Sequence, residues 1–420
     1  MIKRIAAALT AAVTLMLCAC GDEATVHEQN ETTEITLSWW GNDTRHEYTI
    51  AAVERFEEKY PDIKVKCSYS EWSGYEARSR VQMMSNTEAD VMQINVGWLP
   101  QYSADGAGYY DIEKLSEYVD LSNFSSEILE YGRRNGVLNA IPIAMNAETV
   151  YINKTVYEKY GLDVPKTWDD FFAAAKVMSK DGVYPISGAN KSMWLFIIAY
   201  AEQQTGKQFF DENGKIAFDA NDLKLMLEFY NRLVKEKVIP KIEDYNRLCI
   251  DNGEYAGTVA WVSDAINYNK AAMDNGYEIV CAPYPTDSTH KEGDGWYAKP
   301  ATLYAISRNT EHPKEAAQLL DFMLNSPEWA ELQGVEKGIP ISAAGRKHLD
   351  DIGQLSGLQY EASLVMEQND NISPMNSTIE NTTLIDAFVA ACDLLLFDKA
   401  SADDAAKELY NNYKEGGFTA

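Results

Sequence analysis

Between Ile35 and Ile94 the spacing of apolar residues changes period four times, and that alternation confines the chain to a layered α/β fold. Ile35, Leu37 and Trp39 alternate with polar residues, as one face of a strand does. Trp40-Gly41-Asn42-Asp43 breaks the pattern. Ile50, Val53, Phe56 and Tyr60 then recur at helical spacing, and Pro61 ends that helix. Ile63, Val65, Cys67 and Tyr69 alternate again; residues 78–84 predict a short helix and residues 89–94 a third strand. Strand, helix, strand, helix, strand is the order of a parallel sheet with helical crossovers.

A second α/β block follows Ile141-Pro142. Thr167 with Asp170 forms a capping-box pattern ahead of Phe171 and Phe172. Leu223, Met226, Leu227, Tyr230 and Leu233 mark an amphipathic helix, and residues 256–261 read as a buried strand. Pro313 opens a helix through Leu319, Leu320 and Met323, Pro327 opens another behind Ser326, and residues 384–397 form a strongly apolar late helix. A chain of 420 residues is long enough for two domains, each with its own core.

The first residues are of another kind. Met1-Ile2-Lys3-Arg4 is a positive leader, and Ile5 to Leu17 is an apolar run too short for a permanent membrane helix, as in a removable signal peptide. Leu17-Cys18-Ala19-Cys20 resembles a bacterial lipobox, which implies cleavage after residue 19 and acylation of Cys20. The polar stretch 21–33 reads as a tether between lipid and fold. No later stretch is apolar enough to span a bilayer, so lipid is the expected anchor.

A net charge of −27 repels nucleic acid and anionic lipid. Cys67, Cys249, Cys281 and Cys392 are far apart with no CxxC spacing, and His27, His46, His290, His312 and His348 form no cluster, so no metal and no cofactor is expected. Cys67 and Cys392 lie inside apolar patterns, where a buried free thiol is the default, although secretion permits disulfides.

Several segments in a fixed order resemble one family. Residues 36–41 (Thr-Leu-Ser-Trp-Trp-Gly), 56–65 and 89–93, then 301–307, 312–316 and Gly338-Ile339-Pro340, are similar to those of extracellular solute-binding proteins of ATP-binding-cassette sugar importers. Residues 40–46 (Trp-Gly-Asn-Asp-Thr-Arg-His) resemble a subset that takes up oligosaccharides, including products of plant cell-wall breakdown. The likeness runs from about residue 34 to 350. It implies a two-lobed periplasmic-binding-protein-like α/β fold with a hinge and an interlobe ligand cleft. The implied parts are a signal peptide (1–19), a tether (20–33), an N-terminal lobe (34–143 plus 301–349) and a C-terminal lobe (144–300 plus 350–420). The implied partners are an oligosaccharide, the ABC permease subunits and the membrane through its lipid anchor. A monomer without enzymatic activity, held outside the cell membrane, is expected.

Sugar rings present apolar C–H faces and a rim of hydroxyls, so aromatic rings and hydrogen-bonding side chains are the groups to seek. Clefts of parallel sheets open at the carboxyl ends of strands. Trp40, Trp72 and Trp98 follow the first three strands, whereas Trp39 belongs to the core face. Trp194, Trp261 and Trp296 are the candidates from the second lobe or the crossings. Asp43, Glu71, Asn95, Asn146 and Asp264 are the polar candidates, each also suited to a cap or turn. Arg45 either grips a hydroxyl or uronic carboxylate or pairs with Asp43 or Glu47 at the surface, and His46 is read as a surface residue. The competing reading is a cell-surface glycoside hydrolase, which needs two facing carboxylates that no spacing singles out. A third reading keeps the fold but exchanges the sugar for a polyol, a sugar phosphate or a peptide, and the few basic residues among the candidates argue against the phosphate.

Overall fold

The computed structural model describes residues 32–419, apart from 212, 288, 290–293 and 370. The signal peptide, Cys18, the Cys20 acylation site, most of the tether, His27 and His290 lie outside the described residues. Ten strands organise the described residues: β1 (Thr33–Trp40), β2 (Ile63–Ser70), β3 (Val91–Ile94), β4 (Arg133–Arg134), β5 (Val137–Leu138), β6 (Ala140–Asn153), β7 (Gly257–Trp261), β8 (Ile279–Ala282), β9 (Tyr297–Ile306) and β10 (Ser373–Pro374). Eight of them form one sheet in the order β2-β1-β3-β9-β6-β7, with β10 on β9 and β8 on β6, while β4 and β5 pair separately.

The first block is parallel as the periodicity implies. β1 runs beside β2 from Thr33↔Ile63 to Trp40↔Ser70, and beside β3 on its other edge. Ile35, Leu37 and Trp39 are fully buried, so Trp39 is a core residue. Helix α1 (Asp43–Lys59) turns Tyr48, Ala52, Val53 and Phe56 inward, and Phe56 meets Phe322 edge-on at 5.5 Å between ring centroids. Helix α2 (Trp72–Ser85) begins six residues, nearly two turns, before the start its sequence suggests. It buries only Tyr75 and Ser79, which leaves too faint an apolar stripe to read.

Beyond β3 the sheet departs from a purely parallel one. β9 lies antiparallel to β3 (Val91↔Ile306), and β6 lies antiparallel to β9. These two strands join the lobes. The first half of β6 pairs with β9, its second half with β7 and β8, and two register shifts at Pro142/Ala144 and Ala144/Met145 mark the bend. The hydrophobic clusters change over at the same places. One pair of clusters holds Ile35 to Ile143 and Leu303 to Trp329; the other holds Ala147 to Ala298 and Leu358 to Tyr413. Two cores connected by continuous strands can tilt against each other with little loss of packing.

In the second lobe the capping box is formed as its sequence implies. Asp170 N donates to Thr167 Oγ1 at 3.2 Å and Thr167 N to Asp170 Oδ2 at 2.8 Å. Ser326 likewise caps the helix Pro327–Gln333. Cys67, Cys249, Cys281 and Cys392 are free thiols, Cys392 buried and Cys67 half-buried. Among the described residues, no helix is long and apolar enough to cross a membrane, and no group of three or more His, Cys, Asp or Glu could hold a metal ion.

Candidate functional site

The carboxyl ends of β1, β2 and β3 each release a tryptophan, and the three rings meet. Trp40 ends β1, Trp72 begins α2 directly after β2, and Trp98 begins the short helix α3 (Trp98–Tyr102). Ring centroids are 4.9 Å apart for Trp40–Trp72, 6.0 Å for Trp72–Trp98 and 6.4 Å for Trp40–Trp98. Tyr75 backs the group, parallel to Trp98 at 6.0 Å, with its hydroxyl donating to Gln93 O at 2.7 Å. Burial pushes the Tyr75 phenol up to about 12, so it stays a neutral donor. Exposure grades across the cluster: Trp98 is buried, Trp40 half-buried, and Trp72 is 38% exposed. A rigid aromatic floor with one open edge is a surface on which an apolar ring face can stack.

A polar wall stands beside it. The Asn42 side chain caps α1 by accepting from Arg45 N at 3.0 Å, which sets Arg45 on the first helical turn. Gly41 allows this: a Cβ there would lie 2.6 Å from Arg45 Cβ. Arg45 Nη2 donates to Glu336 O at 2.9 Å and Nε approaches Glu336 Oε1 at 3.4 Å. Next to it Lys337, only 3% exposed, donates from Nζ to Gln93 Oε1 and to Tyr304 Oη, both at 2.9 Å. Burial, then the positive charge of Arg45, hold the Lys337 ammonium well below its ordinary pKa, with Glu336 opposing. Gly338, at φ +98° and with Ala144 Cβ 2.7 Å from where its own Cβ would be, turns this segment onto the hinge strand.

From the hinge, Asn146 on β6 donates from Nδ2 to Ser263 Oγ at 2.9 Å and accepts from Ser263 N at 3.1 Å, tying the crossing strand to the second lobe. Trp40, Arg45, Gln93, Asn146, Ser263, Ala301, Thr302 and Lys337 together line a cavity of about 80 Å³ between the lobes. In the second lobe the Lys299 ammonium lies 4.5 Å from the Trp261 ring centre and pairs with Glu380, which also holds Lys191 at 3.0 Å. Burial alone would raise the Glu380 carboxyl, but the two lysines keep it below its ordinary range.

Trp40, Trp72, Trp98, Arg45 and Asn146 are thus brought together at the mouth between the lobes, with Trp261 on the second-lobe side. Asp264, next to Ser263, accepts from Asn267 Nδ2 at 3.2 Å, and Asn95 holds a turn by accepting from Gly97 N at 2.9 Å. Asp43 and Glu71 are exposed at the starts of α1 and α2. Trp194 and Trp296 are elsewhere. Both are at most 1% exposed within the second lobe's core, Trp194 donating to Ile379 O and Trp296 to Glu148 O, so neither has a face to offer a ligand. His46 sits over Tyr69 at 4.4 Å and accepts from Trp39 Nε1, half-buried and not at the open surface. Gln93, Lys337, Thr302, Ser263 and Lys299 were not among the sequence candidates. Only Gln93 carried a signal, as a polar residue inside the apolar run of β3, all four of whose residues are buried.

A larger cavity, about 640 Å³, touches the hinge strands at Met145 and Ala298; its lining mixes aliphatic side chains with polar and charged ones such as Glu127 and Arg346, and carries a single aromatic ring, Tyr131. It has no stacking floor.

Comparison with known proteins places these features in a family. The sequence profile of the bacterial extracellular solute-binding proteins matches residues 42–328. An uncharacterised ABC transporter extracellular-binding protein of Pyrococcus horikoshii is 25% identical over 54% of this chain, and the match spans 55% of that protein's length. A multiple sugar-binding protein of Streptococcus mutans is 21% identical over 79% of the chain and 80% of its own length. Among solved structures, a periplasmic oligogalacturonide-binding protein of Yersinia enterocolitica in complex with saturated digalacturonic acid superposes with a TM-score of 0.78, at 30% identity over 91% of this chain and 98% of that one.

Proposed function

The chain belongs to the bacterial extracellular solute-binding protein family, and on that premise we propose that it is the substrate-binding component of an ABC-type carbohydrate importer, capturing an oligosaccharide between its lobes and delivering it to the permease. The observation that carries this reading is the Trp40–Trp72–Trp98 cluster, whose Trp40 lines one cavity together with Arg45 and Asn146. A pyranose needs both surfaces at once, a flat apolar one for its C–H face and directed donors and acceptors for its rim. The sugar ligands named for the Streptococcus and Yersinia proteins support the same class.

The lobes are taken as 34–143 plus 301–349 and 144–300 plus 350–420, with β6 and β9 as the hinge. Trp261, Asp264 and Lys299 from the second lobe close onto a sugar resting on the first. Ligand contacts to both lobes favour the closed state by the difference in affinity between the two states. Acylation at Cys20 would keep this monomeric receptor beside its transporter, where a high local concentration aids capture. The chain acts by binding, without turnover of the sugar.

Incubation with a panel of plant and host oligosaccharides tests this. The expected result is saturable binding with no new reducing ends. Turnover would make the chain a hydrolase, and absence of binding across the panel would refute the sugar reading.

A further inference from the structure

The inner end of the cleft holds a buried lysine, Lys337, whose ammonium form the protein itself does not balance. Lys337 has three ammonium protons, and two are spent on neutral acceptors, Gln93 Oε1 and Tyr304 Oη. No carboxylate among the described residues forms an ion pair with it. The charges that bear on it are Arg45, which repels it, and Glu336, whose carboxylate is engaged by Arg45. The rings of Tyr304 and Tyr48 face the ammonium at 5.2 and 5.8 Å, and such faces relieve a buried cation only in part. Burying an ammonium this deeply without a counter-charge costs several kcal/mol, which favours the neutral amine, and an anion arriving beside it would restore the charge.

The cavity beside Lys337 shows what fits. Arg45 and Lys337 sum to two positive charges and Glu336 to one negative, which leaves room for one further negative charge. A carboxylate supplies one; a phosphate monoester carries nearly two. About 80 Å³ exceeds the roughly 30 Å³ occupied by one water and suits a planar carboxylate with its first carbon. Arg45 stands on the same cavity with a guanidinium suited to carboxylate geometry. Trp40 lines it too, so a ring stacked on the tryptophan floor would point a substituent towards Lys337.

Resting on the oligosaccharide reading, we infer that the sugar is acidic, and that Lys337 with Arg45 is the subsite that reads the ring carboxylate of a uronic residue. Asn146 and Thr302 then serve hydroxyls, and Gln93 and Tyr304 position the lysine.

The test compares digalacturonate with its methyl ester, the same rings without charge, by calorimetric titration of the purified chain. The acid should bind at least about thirtyfold more tightly than the ester, the fold-change for a desolvated charge pair. Lys337→Met should bring the acid-to-ester ratio close to one. Gln93→Glu, which gives Lys337 an internal counter-ion without changing side-chain size, should lower the ratio in the same direction and covers the case in which Lys337→Met fails to fold. Equal affinity of the wild-type chain for acid and ester overturns the inference, as does a ratio unchanged in either variant. If the chain binds only neutral oligosaccharides, the sugar reading stands and the acidic subsite falls. If it binds no sugar, both fall.

Discussion

Glu148 offers a sharp test of how the second lobe is built. It sits on β6 at 1% exposure; its Oε1 accepts from Ser192 Oγ at 3.0 Å, and its Oε2 has no hydrogen-bond partner among the described residues. Burial lifts its carboxyl from 4.5 to about 8, with the Ser192 hydroxyl and the positive charges of Lys191 and Lys299 pulling back and Glu380 adding to the rise. Folded Glu148 therefore keeps its proton at neutral pH, while the unfolded chain releases it. The folded state binds more protons, so this contribution is fully present below pH 4.5 and is lost as pH rises towards about 8. At about 1.4 kcal/mol per pH unit, the loss across that window is at most about 5 kcal/mol. Glu148→Gln keeps the shape and an acceptor for Ser192 but has no proton to lose. Urea unfolding of both proteins at several pH values between 5 and 8 gives the comparison. The curves should nearly coincide at the acid end and diverge with rising pH, Glu148→Gln becoming the more stable. Parallel curves across the range would mean that Glu148 is ionised in the fold and balanced by Lys191 and Lys299.

Other outcomes follow from the same placements. Trp72→Ala should weaken oligosaccharide binding by about 1–3 kcal/mol through lost stacking, with a stability change of only about 1 kcal/mol because the ring is half open to solvent; titration and urea unfolding separate the two effects. Trp194→Ala should do the reverse, costing about 3–5 kcal/mol of stability as a core truncation while the folded fraction keeps its affinity. A stable Trp194→Ala protein that has lost sugar binding would place that ring at the ligand after all. Thr167→Ala, which removes the capping box, should cost about 1 kcal/mol in urea unfolding and leave binding untouched.

Much of the first lobe was legible because its signals are local. Ile35, Leu37 and Trp39 alternate within one strand, Val53 and Phe56 repeat within one helix, and Pro61 ends it at the neighbouring residue. The position of β9 was not legible. It inserts antiparallel beside β3 from some two hundred residues away, and nothing near either strand specifies that pairing. Single tryptophans divide in the same way. Trp40, Trp72 and Trp98 could be placed because each follows a strand, and the strands' common direction gathers them. Trp194 lies in Met193-Trp194-Leu195-Phe196-Ile197-Ile198, apolar on every side of its helix and buried throughout, a pattern that speaks for core. Lys337 was hidden by its neighbours, since Glu336-Lys337-Gly338 reads as an exposed turn and only contacts from β3 and β9 show that the lysine is buried.

A crystal structure of the chain with a bound oligosaccharide would show directly where the sugar sits. A pyranose ring should lie in van der Waals contact, about 4 Å, with the rings of Trp40 and Trp72, its hydroxyl rim facing Asn146 and Arg45 between the lobes. A sugar seated instead in the larger cavity beside Met145 and Ala298, or on the outer surface of either lobe, would contradict this placement.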